Sequence, residues 1–81
     1  MDAAAAFGTV LRRLRKAAGF TQEKLALEAD LRRTYVSILE LGQQQPTLTT
    51  ILKLATALRR PAGEIVSLVE AELARSRRRR S

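Results

Sequence analysis

Apolar residues recur along this chain at intervals of three and four positions, and no segment alternates apolar and polar residues over the length of a strand. This spacing places the apolar side chains on one face of an α-helix, which repeats about every 3.6 residues. Five such segments follow one another. The pattern therefore predicts an all-α fold, and the 81 residues leave room for one modest core.

Residues typical of helix ends separate the five segments. Gly19 and Gly42 follow the first and third segments, where a glycine accepts the left-handed backbone of a C-terminal cap. Thr21 and Thr47 precede the second and fourth segments, where a hydroxyl caps the first turn. Pro61 is expected to open the fifth helix, because its missing N–H does no harm there.

The charge of the chain is concentrated at its end. The net charge is +7, yet residues 1–74 carry ten basic against eight acidic residues. We therefore expect one domain over residues 1–74 and a disordered basic tail over residues 75–81. A basic chain favours a polyanionic partner, because each neutralised phosphate releases counterions. The tail fits either a flexible arm on DNA or a solubilising end.

Composition also excludes classes of function. The chain has no cysteine and no histidine, which removes thiol chemistry, most zinc sites and the commonest general base. No nucleophile–base pair can be assembled, so we expect no enzyme, no metal and no cofactor. The first residues lack a basic leader before a long apolar run, so we expect no signal peptide, and no apolar run approaches the roughly 20 residues of a membrane span. We expect a cytoplasmic, nucleoid-associated protein that does not enter a membrane.

The second and third predicted helices are short, and residues 29–31 alone connect them. A connection this tight forces the crossing angle of a helix-turn-helix. Three motifs follow in order: Gly-Phe-Thr-Gln-x-x-Leu-Ala at 19–26, Thr-Tyr-Val-Ser-x-Leu-Glu-x-Gly at 34–42 and Pro-Thr-Leu at 46–48. With these motifs the chain resembles the XRE-type, phage repressor/Cro-like DNA-binding family over about residues 7–70.

The resemblance implies a compact five-helix, repressor-like domain whose third helix enters the major groove of double-stranded DNA. Arg33 then suits a guanine edge, and Thr34 a base edge or a thymine methyl. For Ile38, contact with a thymine methyl and packing under a neighbouring loop are equally plausible, whereas Leu41 is expected to pack on the following loop. An ordinary solvated face is the alternative for the whole set. The candidate base-reading residues are Arg32, Arg33, Thr34, Ser37 and Ile38.

The resemblance also implies phosphate contacts and one structural ion pair. In the family, the residue at Gln22 bonds phosphate and braces the recognition helix, and Arg15 and Glu40 match a pair that joins the first helix to the third. For the loop glutamines an ordinary polar loop is nearly as plausible. The candidate phosphate-binding residues are Thr21, Gln22, Gln43, Gln44, Gln45 and Thr47.

Two departures from the family pattern concern glycine. Asp30 stands where relatives often have glycine, at a turn that needs a left-handed backbone, which aspartate tolerates better than most residues. Arg59 and Arg60 replace a Gly-Val pair before the fifth helix, so that helix can be placed differently than in relatives.

The fifth helix has more apolar surface than a monomer of this size clearly needs. Its stripe is expected either to finish the core or to form a homodimer that reads a near-palindrome. The innermost two residues suit the core and the outer two suit an interface. The candidate interface residues are Ile65, Leu68, Val69 and Leu73.

The most consistent function is a transcription regulator, expected to be a repressor or autoregulator of a short operator. Controllers of restriction-modification operons and phage-type repressors are both of this size. The alternative is an antitoxin-like protein that binds a toxin partner and autoregulates its operon. A membrane-surface or RNA-binding protein is disfavoured by the shortage of aromatic residues.

Overall fold

The structure is a computed structural model that describes residues 1–80, with side chains described through residue 78. This part of the chain forms five α-helices and no strand, which confirms the predicted all-α class. No helix within it is long and apolar enough to cross a membrane. The helices are α1 Ala3–Ala17, α2 Gln22–Ala29, α3 Arg33–Glu40, α4 Leu48–Leu58 and α5 Ala62–Arg80.

Local capping determines where the helices begin and end. The Thr21 hydroxyl accepts a hydrogen bond from the third residue of α2, and the Thr47 hydroxyl does the same at α4. Gly19 and Gly42 have φ values of 76° and 72°, the left-handed conformation that turns the chain out of α1 and α3. Pro61 immediately precedes α5, and its carbonyl accepts from the N–H of a residue in the first turn.

Two further helix ends are left-handed without glycine. Asp30, the C-cap of α2, has φ 56°, and Arg59, the C-cap of α4, has φ 57°. The chain therefore keeps the backbone of a glycine cap at both departures from the family pattern. A side chain in this conformation costs about 1–2 kcal/mol, somewhat less for aspartate. Replacement of glycine at these two positions thus changes stability rather than the path of the chain.

The hydrophobic core contains one large, fully buried side chain from every helix. These are Leu11, Leu25, Leu39, Leu54 and Ile65. Burial of a side chain of this size contributes about 1.5–3 kcal/mol each before chain entropy is counted. Ile65 therefore belongs to the protomer core, which agrees with the expectation that the innermost residues of the stripe suit the core and corrects its inclusion among the candidate interface residues. Leu68 and Val69 are partly buried against the same core.

Gly8 holds the backbones of α1 and α3 together. A Cβ at this position would lie 2.5 Å from the carbonyl oxygen of Leu39 and 2.6 Å from that of Glu40. Only a glycine permits this approach. The contact fixes the carboxyl end of α3 against α1 and so helps to set the direction in which α3 projects from the domain.

Residues 75–80 continue α5, whereas a disordered tail from Arg75 onward is expected from the sequence. Arginine is a good helix former, and Arg75 pairs with Glu72 one turn earlier, so both effects favour extension of the helix. Ser81, the last residue of the predicted tail, lies outside the described residues. The basic end of the chain therefore continues α5 in helical form.

Candidate nucleic-acid interface

The helix pair α2–α3 presents one side of α3 to solvent. Asp30 turns the chain sharply, and the N–H of Leu31 bonds the carbonyl of Ala26 at 2.8 Å, which closes the turn. Val36 and Leu39 are fully buried, so the inward side of α3 is the core side. The opposite side of this eight-residue helix then faces away from the core.

The predicted base-reading residues lie on that outward side. Arg32, Arg33 and Thr34 are exposed, and Ser37 and Ile38 are half-buried. Positive charge is concentrated at the amino end of α3, and hydroxyl and apolar groups follow along the helix. This combination matches the guanine, adenine and thymine groups that line a major groove.

The start of α3 breaks the capping pattern of the chain. Asp2, Thr21 and Thr47 each cap their helix with a side-chain oxygen. Arg32 occupies the N-cap of α3, and no described side chain caps this helix. A missing cap costs about 1 kcal/mol, and a cation at the positive end of the helix dipole adds a few tenths. The arrangement lowers stability and leaves cations and uncapped N–H groups facing solvent.

A buried polar network holds α3 against α1 and α2. Arg15 donates from Nε to Glu40 Oε2 at 2.6 Å and from Nη2 to Oε1 at 3.1 Å, which forms the predicted ion pair as a bidentate contact. Its third nitrogen, Nη1, donates to the carbonyl oxygen of Phe20 at 2.8 Å. The Arg15 and Glu40 side chains are only 11% and 4% exposed. Glu40, at the end of α3, thus receives both donors with little solvent screening.

Gln22 joins the same network. Its Nε2 donates to Glu40 Oε1 at 3.0 Å, which spans the first residue of α2 and the last residue of α3. One amide hydrogen of Gln22 therefore fixes the side chain at the amino end of α2, next to α3. This contact agrees with the expectation that Gln22 braces the recognition helix α3.

The remaining predicted phosphate-binding residues differ in their exposure and in whether their side chains already form hydrogen bonds within the protein. Gln43, Gln44 and Gln45 are exposed in the connection between α3 and α4. The Thr47 hydroxyl accepts from the Thr50 N–H at 3.1 Å and donates to the Thr50 hydroxyl at 3.0 Å. Its hydrogen is already used, so the backbone near Thr47 is a better donor to an anion than its side chain.

Besides Ile65, the expectations from sequence misplaced Leu41 and missed two residues. Leu41 is 68% exposed, so the expectation that it packs on the following loop is wrong. The next residue, Gly42, packs closely on the backbone of Ala5 in α1. Tyr35 was missed: its hydroxyl lies 3.3 Å from the Thr50 hydroxyl and connects α3 to α4.

Arg12 is the second missed residue. It is exposed on α1 and lines a cleft of about 210 Å³ together with Gln22 and Ser37. Its spacing of three residues from Arg15 places it on a neighbouring part of the α1 surface. That spacing was the one available signal, because the cleft is formed by three different helices.

A sequence profile described as helix-turn-helix matches residues 11–65 of this chain. Among curated proteins, the control protein C.BamHI of Bacillus amyloliquefaciens is 43% identical over 53 residues, which are 64% of this chain and 65% of that protein. The control protein C.MunI of a Mycoplasma species is 36% identical over 67 residues, 82% of this chain and 90% of its own length.

A solved structure shows the same fold. The restriction-modification controller protein C.AhdI from Aeromonas hydrophila superposes with a TM-score of 0.75 at 47% sequence identity. The match covers 76% of this chain and 94% of the controller protein.

Proposed function

This chain belongs to the XRE-type helix-turn-helix family, and we propose that it is a transcription regulator that binds a specific sequence of double-stranded DNA. It acts as a repressor or autoregulator, as a homodimer on a short near-palindromic operator, and without an enzymatic step. Its place of action is the cytoplasm, at the nucleoid. The observation that carries the proposal is the outward, cation-bearing face of α3, held by the buried contacts of Glu40 with Arg15 and Gln22.

Base reading is assigned to α3. An exposed arginine near the amino end of a helix in the major groove can donate two hydrogen bonds to guanine O6 and N7, and Arg33 has that position. The hydroxyls of Thr34 and Ser37 suit base edges farther along the groove. Half-buried Ile38 offers its remaining surface to a thymine methyl. Rigid support favours this assignment, since a reading helix must hold its side chains in one register.

Phosphate binding is assigned to the ends of helices beside α3. The amino end of α2 carries Gln22, whose second amide hydrogen remains available after the bond to Glu40. Thr21 caps only the N–H of the third residue of α2, so the N–H groups of the first two residues, with the helix dipole, can attract an anion. Thr21 stands next to Gln22, and residues 43–45 with the backbone near Thr47 serve a second stretch of backbone.

Dimer formation is assigned to exposed apolar groups of α4 and α5. Leu52 is 51% exposed and Val66 is 45% exposed, and Leu48 is also exposed. Val66 and Val69 line a shallow cleft with Pro46. The interface is therefore expected to include Val66 and the α4 leucines beside Leu68, Val69 and Leu73, in place of Ile65. A two-fold dimer would place its reading helices about 34 Å apart, one turn of DNA.

The relatives favour a controller protein over the antitoxin alternative. Their names describe control proteins and a restriction-modification controller. We therefore propose control of a restriction-modification operon as the setting of this chain. An antitoxin would share the DNA-binding face but would also copurify with a toxin partner.

Two matched substitutions test the assignment of roles. Arg33→Ala should cost about 1–3 kcal/mol on the preferred duplex and remove the preference at one base position of each half-site. Gln22→Ala should weaken binding to every sequence by a similar factor, because it acts on phosphate. Arg60→Ala, at a half-buried residue paired with Glu64, serves as the control and should leave base preference unchanged.

The readout is fluorescence anisotropy on the preferred duplex and on duplexes with single base-pair changes. An Arg33→Ala protein that keeps the wild-type preference at every position would contradict the proposed reading role. The same result for both Arg33→Ala and Gln22→Ala, with equal losses on every duplex, would contradict the division between base and phosphate contacts.

A further inference from the structure

The exposed side of α1 carries cations that the proposed reading surface does not use. The helix has no acidic residue, and Arg12, Arg13 and Lys16 are exposed in its carboxyl-terminal half. Only Arg15, its fourth cation, is buried against Glu40. Arg12 and Lys16 form no ion pair with any described side chain. Their charge is therefore available to a partner.

One end of this cationic side touches the reading surface. Arg12 shares its cleft with Gln22, at the amino end of α2, and with Ser37, on the outward side of α3. A duplex held against α3 would thus have a phosphate backbone near Arg12. The contact between α1 and α3 at Gly8 keeps this arrangement rigid.

The other end continues onto α5. Arg13 Nη2 donates to Glu72 Oε1 at 3.0 Å, and Arg75 donates to the same oxygen. The Glu72 side chain is only 8% exposed, and the two guanidiniums that it binds are half-exposed. Its single negative charge offsets only one of their two positive charges. We call Arg12, Arg13, Lys16 and Arg75 the basic band; with Glu72 it has three net positive charges.

We propose that the basic band is a second DNA-contact surface, which binds the phosphate backbone beside the base pairs that α3 reads. The inference rests on the proposed DNA-binding function and adds to it a longer footprint at each half-site. Guanidinium and ammonium groups bind phosphate regardless of base sequence, so the band raises affinity and salt dependence without changing the preferred sequence. Continuity with the cleft at Ser37 favours DNA over an acidic protein as the partner.

The first test removes charge from the band. Arg12→Gln combined with Lys16→Gln should lower the slope of log affinity against log salt by about 0.9 for each phosphate that is no longer neutralised, hence by about 1–2 in total. The decrease in affinity should be equal on the preferred duplex and on a scrambled one. Lys53→Gln combined with Arg60→Gln removes the same charge from ion-paired positions outside the band and serves as the control.

The second test changes the charge in the opposite direction. Glu72→Gln removes the one carboxylate of the band, so DNA affinity and the salt slope should both rise, the slope by up to about 0.9. Circular dichroism at neutral pH verifies that this variant is folded. If it is not folded, the Arg12→Gln/Lys16→Gln pair still decides the inference.

Three results separate the failures. If the wild type binds no duplex from a random pool, the proposed function itself is wrong. If the wild type binds but the band variant keeps its slope, the band is wrong and the reading surface stands; a band that serves an acidic protein would give this result. If the control pair lowers the slope as much as the band pair, net charge explains the effect and the inference is overturned.

Discussion

Arg32→Ser should stabilise the protein while weakening its binding to DNA. The backbone at Arg32, φ −82° and ψ 143°, resembles that of Thr21, φ −77° and ψ 167°, which caps α2. The Tyr35 N–H already donates to the Arg32 carbonyl oxygen at 3.0 Å, so a serine oxygen at this N-cap would accept from the N–H of Thr34, the second residue of α3. The new cap should add about 1 kcal/mol, and removal of a cation from the positive helix end about 0.3–1 kcal/mol more.

For a domain of this size, about 1 kcal/mol raises Tm by about 4–8 °C. Two measurements are compared: thermal unfolding, monitored by circular dichroism, and DNA binding, measured by fluorescence anisotropy on the preferred duplex. If Arg32 contacts a base, the binding free energy should become less favourable by about 1–3 kcal/mol. Arg59→Gly is the matched control: it relieves a left-handed arginine that costs about 1 kcal/mol, and DNA binding should not change. An Arg32→Ser protein that is more stable and binds DNA as tightly as wild type would refute a reading role for Arg32. Unchanged stability would refute the capping argument.

Three further predictions concern the core network, pH and assembly. Glu40→Gln should lower the free energy of unfolding by about 3 kcal/mol in urea titrations, because it leaves a buried guanidinium without its charge partner; a decrease below about 1 kcal/mol would contradict this. The hydrogen bond from Arg13 holds the pKa of Glu72 below its ordinary value of 4.5, although burial opposes it. The contribution of Glu72 to the free energy of unfolding is thus fully present above pH 4.5 and is lost as the pH falls through the lowered pKa. In urea titrations at several pH values, Glu72→Gln should therefore lose less stability on acidification than the wild type. An unchanged dependence of stability on pH would argue against this contribution. Val66→Asp should give folded monomers by sedimentation, whereas Leu27→Asp, at a leucine that is also exposed, should not; equal behaviour of the two variants would count against the α5 interface.

Features that depend on a few neighbouring residues could be predicted from the sequence. The caps at Thr21 and Thr47 and the turns at Gly19 and Gly42 form because their partners lie within a few positions along the chain. The Arg15–Glu40 pair came instead from the family resemblance, since no local rule joins residues 25 positions apart. The turn at Asp30 was predicted both from the short connection between α2 and α3 and from the family resemblance.

Features that depend on packing between distant helices could not be predicted. The burial of Ile65 and the exposure of Leu41 are set by where α5 and α1 lie relative to α3. The role of Arg12 depends on a cleft that three helices form together. The helical state of residues 75–80 was missed because the absence of an apolar face outweighed the helix propensity of arginine and the ion pair at Glu72.

Selection of bound duplexes from a random pool tests the central claim most directly. The wild-type protein is immobilised, bound duplexes are recovered and amplified over several rounds, and the final pool is sequenced. We expect one near-palindromic consensus with half-site centres about one helical turn, or about 34 Å, apart. A final pool with no sequence enriched over the starting pool would contradict sequence-specific DNA binding by this chain.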